Sequence, residues 1–213
     1  MIIDFHVHSS FSFDCKSNVK NIIKTCKKIG INGVAITDHN TIKGGIEALK
    51  LKEKDFLVIV GSEIATEKGE VIGMFLNEEI NSHCFDEVVD LIKEQDGLIV
   101  LPHPFRYLNH ILNGIEKNVI KKIDIIEKTN YSDHPLALFL SKKIAEKSKM
   151  PFIGGTDAHD LFDIGKVRTV VYDTGTIEEL KKSLLKKRVK ILFNSDLYYK
   201  SIKNLIMMIG EKE

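Results

Sequence analysis

Ile2-Ile3-Asp4-Phe5-His6-Val7-His8 and Gly33-Val34-Ala35-Ile36-Thr37-Asp38-His39 share one form, an apolar run that ends in histidine or a carboxylate. The form recurs along the chain: Glu63 closes FLVIVGSE, His103 follows LIVLP, Glu127 closes IDIIE, and Asp157 and His159 follow FIGG. Between these runs lie segments of helical periodicity, near Asn18 to Ile29, Lys43 to Lys52, Phe85 to Gln95, Tyr107 to Lys117 and Pro135 to Lys147. The run RTVVYD, a helix near Ile177 to Lys187, the run VKILF and a last helix near Leu197 to Ile209 complete the pattern. Continuous apolar runs separated by helices read as strands buried on both faces, hence parallel. An open parallel sheet uses mainly the crevice at its switch point, whereas a barrel brings every strand end to one rim. Polar residues at strand end after strand end therefore predict an α/β fold with a TIM-like barrel closure.

At 213 residues and 43% hydrophobic content the chain can bury a full core, and no repeat or linker interrupts it, so one domain spanning residues 1–213 is expected. Lys and Arg number 31 against 30 Asp and Glu, a balance that excludes a global field drawing the molecule to nucleic acid or membrane. The three cysteines have neither finger nor C-x-x-C spacing, which points to a reducing compartment, cytoplasmic by default. The first residues hold no basic segment followed by a long apolar stretch, so neither a leader nor an anchor is expected. The oligomeric state is not legible. Leu180, Leu184 and Leu185 against the surrounding lysines read as an amphipathic surface helix rather than a nucleic-acid patch.

In His6-Val7-His8 the period of two puts both imidazoles on one face, within reach of one ion. Taken singly, each histidine needs no special explanation. Together, the pairs His6/His8 and Asp157/His159 with His39, Glu63 and His103 form a costly set of buried polar groups unless a cation organises them. Mixed imidazole and carboxylate donors suit Zn, Mn or Fe, and the absence of thiolates argues against a purely structural zinc site.

The ordered strings Asp4-Phe5-His6-Val7-His8-Ser9, Ser12-Phe13-Asp14-Cys15, Thr37-Asp38-His39-Asn40, Gly61-Ser62-Glu63, Pro102-His103-Pro104 and Gly155-Thr156-Asp157-Ala158-His159 resemble the polymerase and histidinol phosphatase (PHP) domain family. The resemblance implies a distorted (β/α)7 barrel with two or three divalent metals at the carboxyl ends of the strands. It implies that His6, His8 and Asp157 bind one metal and Glu63 bridges, that Asp14, His39 and His159 complete a second site, and that His103 serves a third. Where family members carry a histidine after the bridging glutamate, this chain has Ile72, and Glu70, two residues earlier on the same face, stands as a carboxylate replacement or as an ordinary exposed glutamate. An extra residue before Asp14 leaves its reach open.

The expected activity is hydrolysis of a small phosphomonoester through a metal-bridging hydroxide, with Asp157 orienting the water and His159 protonating the leaving group. Arg106, three residues after His103, reads either as a fork onto phosphate oxygens or as a surface Arg in a solvated pair, and Arg168 is a second phosphate candidate. Ser132-Asp133-His134-Pro135 reads as a helix cap with Pro in the first turn. Two alternatives remain open: an exonuclease or phosphodiesterase acting on nucleic-acid ends, for which no aromatic and basic interleaving is seen in the sequence, and a non-catalytic PHP-like interaction subunit. An amidohydrolase fits Asp14 and the Asp157/His159 pair poorly.

Overall fold

The computed structural model describes residues 1–51, 53–106 and 115–193. The expected helix near Leu197 to Ile209, and most of the one near Tyr107 to Lys117, lie outside the described residues. The nine described strands are β1 (Ile2–Val7), β2 (Gly33–Ile36), β3 (Leu57–Thr66), β4 (Gly69–Met74), β5 (Leu98–Leu101), β6 (Ile125–Asn130), β7 (Phe152–Gly155), β8 (Val167–Val171) and β9 (Val189–Phe193). The helices are α1 (Val19–Lys28), α2 (Lys43–Lys50), α3 (Phe85–Glu94), α4 (Lys117–Ile120), α5 (Pro135–Ser148) and α6 (Ile177–Leu185).

The strands form one sheet in the order β7-β6-β5-β4-β3-β2-β1-β8-β9. It is nearly closed into a barrel. At the carboxyl ends, Val7 bridges Ala158, His8 N donates to Ala158 O at 3.0 Å and Asp157 N donates to His6 O at 2.8 Å. Lower down, β8 stands beside both β1 and β7: it pairs with Ile2 and Ile3, while the Thr169 hydroxyl accepts from Gly154 N and donates to Gly154 O, each at 2.9 Å. A side-chain hydroxyl thus replaces the ladder that would complete the closure. Gly155 is required at this seam, because a Cβ there would lie 2.5 Å from His6 Cβ and 2.7 Å from Glu127 Oε1.

The expectation of an all-parallel sheet and seven βα units is corrected here. β4 runs antiparallel to β3 and β5, and β8 and β9 are antiparallel additions. Only Glu67 and Lys68 separate β3 from β4, and a parallel crossover needs about a dozen residues, so the pair must be a hairpin. Glu63 accordingly lies within ten-residue β3 rather than at its end, and the hairpin stands above the rim set by four-residue β2 and β5.

One apolar cluster draws Ile3, Phe5, Ala35, Ile59, Ile72 and Val100, with counterparts from β6, β7 and β8, into the barrel interior, where Leu180 and Leu184 of α6 join it. Leu185, expected on the same face, is exposed. Outside the barrel, Val7 packs with Val19, Ile22 and Ile23 of α1. Phe5 thus faces in and Val7 faces out, which unbroken alternation forbids. The reason is a bulge in β1: Asp4 pairs with Val34 and Val7 with Ile36, so β1 spends one residue more than β2. The extra residue turns His6 and His8 inward, above the apolar floor. A second irregularity, on β6 between Glu127 and Thr129, lies across the same opening.

Candidate metal centre

Four ring nitrogens and carboxylate oxygens converge above that floor. His6 Nε2 lies 3.1 Å from His8 Nε2, 3.4 Å from Glu63 Oε2 and 3.3 Å from Asp157 Oδ1, and His8 Nε2 lies 3.3 Å from Glu63 Oε2 and 2.9 Å from Asp157 Oδ1. Two donors about 3.2 Å apart are bridged by an ion about 2.0 Å from each at close to the tetrahedral angle, and about 2.0 Å is the length of a Zn–N or Zn–O bond. All four residues are buried.

The surrounding hydrogen bonds decide which ring nitrogen carries the proton. Glu127 Oε1 can only accept, so His6 Nδ1, 3.2 Å away, is the protonated nitrogen and Nε2 keeps its lone pair. Ser12 has one hydroxyl proton, which it donates to Asp38 Oδ1 at 2.8 Å; its oxygen then accepts from His39 N and from His8 Nδ1, both at 3.1 Å. His159 Nδ1 donates to Asp157 O at 2.9 Å. Three imidazoles therefore present bare Nε2 atoms to carboxylate oxygens. Such contacts repel unless a proton or cation stands between them, which is the arrangement that outer partners impose on metal-binding histidines.

Without a metal, protons answer that repulsion. Burial disfavours a charged imidazole at His6 and His8, yet Asp157 and Glu63 overturn the penalty, raising His6 well above its ordinary value and holding His8 at about 9. Burial likewise opposes ionisation of Glu63 and Asp157, but the charge of His6 and the hydrogen bonds from neighbouring imidazoles keep both well below the usual carboxylate range.

The cluster continues outward in two directions. Asp14 Oδ2 lies 3.3 Å from His39 Nε2 and 3.1 Å from His159 Nε2, so the extra residue in its loop does not keep it from the site. His8, His39 and His159 can share one ion. On the other side His103 Nε2 is 2.8 Å from Glu63 Oε1 and 3.7 Å from Glu70 Oε2, and His39, Glu63 and Glu70 form a third possible group. Register explains Glu70: it pairs with Ala65, two residues from Glu63 on the same face of the hairpin. Ile72, opposite Glu63, belongs to the apolar floor. His103 and Asp157 hold positive φ of 22° and 54°, local strain of a kind that collects at functional sites.

Of the two arginines, Arg106 reaches the cluster and Arg168 does not. Arg106 bonds Asp157 through NH1, Asp133 through Nε at 3.3 Å and Asn130 through NH2 at 3.1 Å. Arg168 donates to Gly165 O at 2.6 Å and to Ile29 O at 3.5 Å. Ile29 lies at the far end of α1, about 15 Å along a ten-residue helix from the rim, so Arg168 braces the base of the barrel.

Several partners were visible in the sequence only as strand-end polar residues, or not at all. Glu127 orients His6 and also accepts from His103 N and Asn130 Nδ2, at 2.8 and 2.9 Å. Asp38 accepts from Ser9 N, Ser9 Oγ and Ser12 Oγ and so fixes the loop that carries Asp14. Asp4 ties β1 to Thr156 and Gly165, with burial pushing its carboxyl up to about 6. The helix cap at 132–135 stands as read: His134 Nδ1 accepts from Ala137 N and Pro135 opens α5.

Comparison with known proteins agrees with this architecture. Residues 4–138 match the PHP domain profile and residues 135–189 the PHP-associated profile. Two uncharacterized proteins of Methanocaldococcus jannaschii are similar: one is 47% identical over 118 residues, covering 49% of this chain and 68% of the relative, the other 36% identical over 173 residues, covering 78% and 68%. The fold is similar, with a TM-score of 0.76 at 17% identity, to a two-domain protein from Bacteroides vulgatus described as containing a predicted PHP-like metal-dependent phosphoesterase; the match covers 91% of this chain and 65% of that one. With the profile spanning more than half its length and the polar cluster standing where barrel strands end, this chain belongs to the PHP domain family.

Proposed function

We propose that this chain is a metal-dependent phosphoester hydrolase acting on a small phosphomonoester. One observation carries the reading: two Nε2 atoms stand 2.9–3.4 Å from each other and from two carboxylate oxygens across a buried site, a spacing that one bound cation would satisfy. His6, His8, Glu63 and Asp157 would hold one ion, Asp14, His39 and His159 a second, and His103 with Glu70 would add donors on the far side of Glu63. Bound divalent cations would supply Lewis acidity toward a water and toward the phosphoryl oxygens.

The chain's own residues account for the rest. Asp157 is clamped between the two imidazoles and Arg106, so its carboxylate is held at one orientation at the mouth of the site. Arg106 is committed to three acceptors yet keeps about a quarter of its side chain exposed, which leaves guanidinium donors facing an incoming phosphate. His159 is the most exposed imidazole of the cluster; with Nδ1 donating to Asp157 O, its Nε2 would serve the outer ion, which leaves protonation of the leaving oxygen to water. Apolar residues below and α1 beside the seam close the site to water from beneath.

Elemental analysis of the purified protein, with phosphate release from a panel of monoesters in Mn or Zn, tests this. Two or more metals per chain with turnover that His6→Ala and Asp157→Ala abolish is the expected result. Turnover of none of the esters by metal-loaded protein would return the chain to the role of a binding subunit.

A further inference from the structure

The two most exposed large apolar side chains among the described residues are Phe13, at 88%, and Phe162, at 80%; no other exceeds 52%. An exposed apolar side chain is ordinary in isolation. These two are not scattered, because Phe13 adjoins Asp14 in the loop after β1 and Phe162 lies three residues past His159 in the loop after β7, the two strands that the Val7–Ala158 bridge joins.

Both rings are held on one side while the other stays open. Phe13 stacks on His39, with centroids 5.1 Å apart and planes 27° from parallel. Phe162 packs against Lys166, whose Nζ is 4.3 Å from the ring centroid and 4.5 Å from that of Tyr131. Lys166 is fixed in turn by Asp163 Oδ1 at 2.6 Å and Tyr131 Oη at 3.1 Å, and Phe162 N donates to Asp160 Oδ1 at 2.8 Å. Leaving a phenyl ring in water forfeits the stabilisation its burial would bring, and here the forfeit is made twice beside the candidate centre. A pinned ring with a free face is what stacking on another flat ring requires. Base–aromatic stacking is tolerant of sequence and strong enough to set affinity. The primary sequence shows no aromatic and basic interleaving because Tyr131 meets Lys166 and Phe162 only through the β6 and β7 loops, and Phe13 meets His39 only through the β1 and β2 loops.

We propose that Phe13 and Phe162 form a stacking rim for the flat base of a nucleotide, so that the phosphoester delivered to the centre is that of a nucleoside monophosphate rather than of a sugar or polyol. This rests on the phosphoester reading of the centre. Phosphate at the cluster and base on the rim assign the two ends of one substrate: the bond broken is P–O to the ribose oxygen, water supplies the new oxygen on phosphorus, and the nucleoside leaves with a proton.

The chain contains no tryptophan, so Phe162→Trp installs a single tryptophan, excited apart from the five tyrosines at the red edge, at an exposed position where the larger ring is accommodated. Adenosine 5′-monophosphate is expected to quench it and glycerol 3-phosphate is not. In turnover, Phe13→Ala and Phe162→Ala are each expected to lower the ratio of kcat/KM for adenosine 5′-monophosphate over that for glycerol 3-phosphate by about tenfold, and Phe13→Tyr to restore it. Equal turnover of the two esters with no quenching overturns the stacking rim and leaves the phosphoester reading in place. Quenching without turnover of either ester supports the rim and removes the phosphoester reading.

Discussion

The inner and outer halves of the cluster are built differently. In the inner half, His6, His8, Glu63 and Asp157 are buried, and both imidazoles are locked from behind, His6 by Glu127 and His8 by Ser12 and Asp38. In the outer half, Asp14 and His159 keep about a third of their side chains exposed, and His39 touches solvent as well. The contrast teaches that preorganisation here comes from burial plus a second contact, not from ligand type. A cation in the inner half should bind tightly and exchange slowly, whereas one in the outer half should exchange with the medium.

His8 belongs to both halves, since it can share an ion with either set. Replacing His8→Ala is therefore expected to empty both, with metal content near zero and activity reduced by far more than the roughly 100-fold that loss of an outer partner costs. Retained occupancy of the outer half would break the idea that the halves share a wall. Glu127→Gln keeps the shape but can present an amide to His6 Nδ1; inner-half affinity should fall about 10–100-fold, read by chelator competition, with the outer half unchanged. Asp14→Ala should remove only the outer ion, so that elemental analysis shows one metal fewer and the tightly held ion remains.

The smallest expected effect concerns pH. His8, at about 9 against an ordinary 6.5, contributes stability to the metal-free fold that is fully present below pH 6.5 and lost as pH rises through about 9. A bound cation takes the place of that proton and removes the loss. The gain in Tm on adding metal should accordingly widen between pH 6.5 and 9, and calorimetry in buffers of different ionisation enthalpy should show proton release on binding. A gain that is flat across that range would mean the Nε2 atoms are not where metal and proton compete.

The strand-end histidines and carboxylates were legible because a ligand must be a particular residue type, and because barrel geometry sends strand ends to one rim whatever the intervening loops. Their supports were not. Glu127 was visible at the end of IDIIE, but nothing local says that its carboxylate turns to His6 Nδ1, 121 residues away. Arg168 read as a second phosphate candidate, weaker than Arg106 because it more easily reads as the polar start of RTVVYD, and the path of β8 beside β1 is what turns it to the base of the barrel. The antiparallel β4 was hidden because buried strands read as apolar runs in either direction; the two-residue link Glu67-Lys68 was the signal that decides it.

What the sequence by itself determined was the inventory of the centre: which donors exist, that they follow apolar strands, and that thiolates are not among them. What only the tertiary structure decided was their phase and their neighbours. The bulge in β1 turns His6 and His8 inward against the alternation that Ile3 and Phe5 establish, and the β3–β4 hairpin lifts Glu70 to the level of His103. Pinning Phe13 and Phe162 at the rim likewise needs loops from strands far apart in the chain. The physical reason is one of range: residue chemistry and strand periodicity are set by covalent neighbours, whereas register, tautomer and exposure are set by contacts made across the barrel.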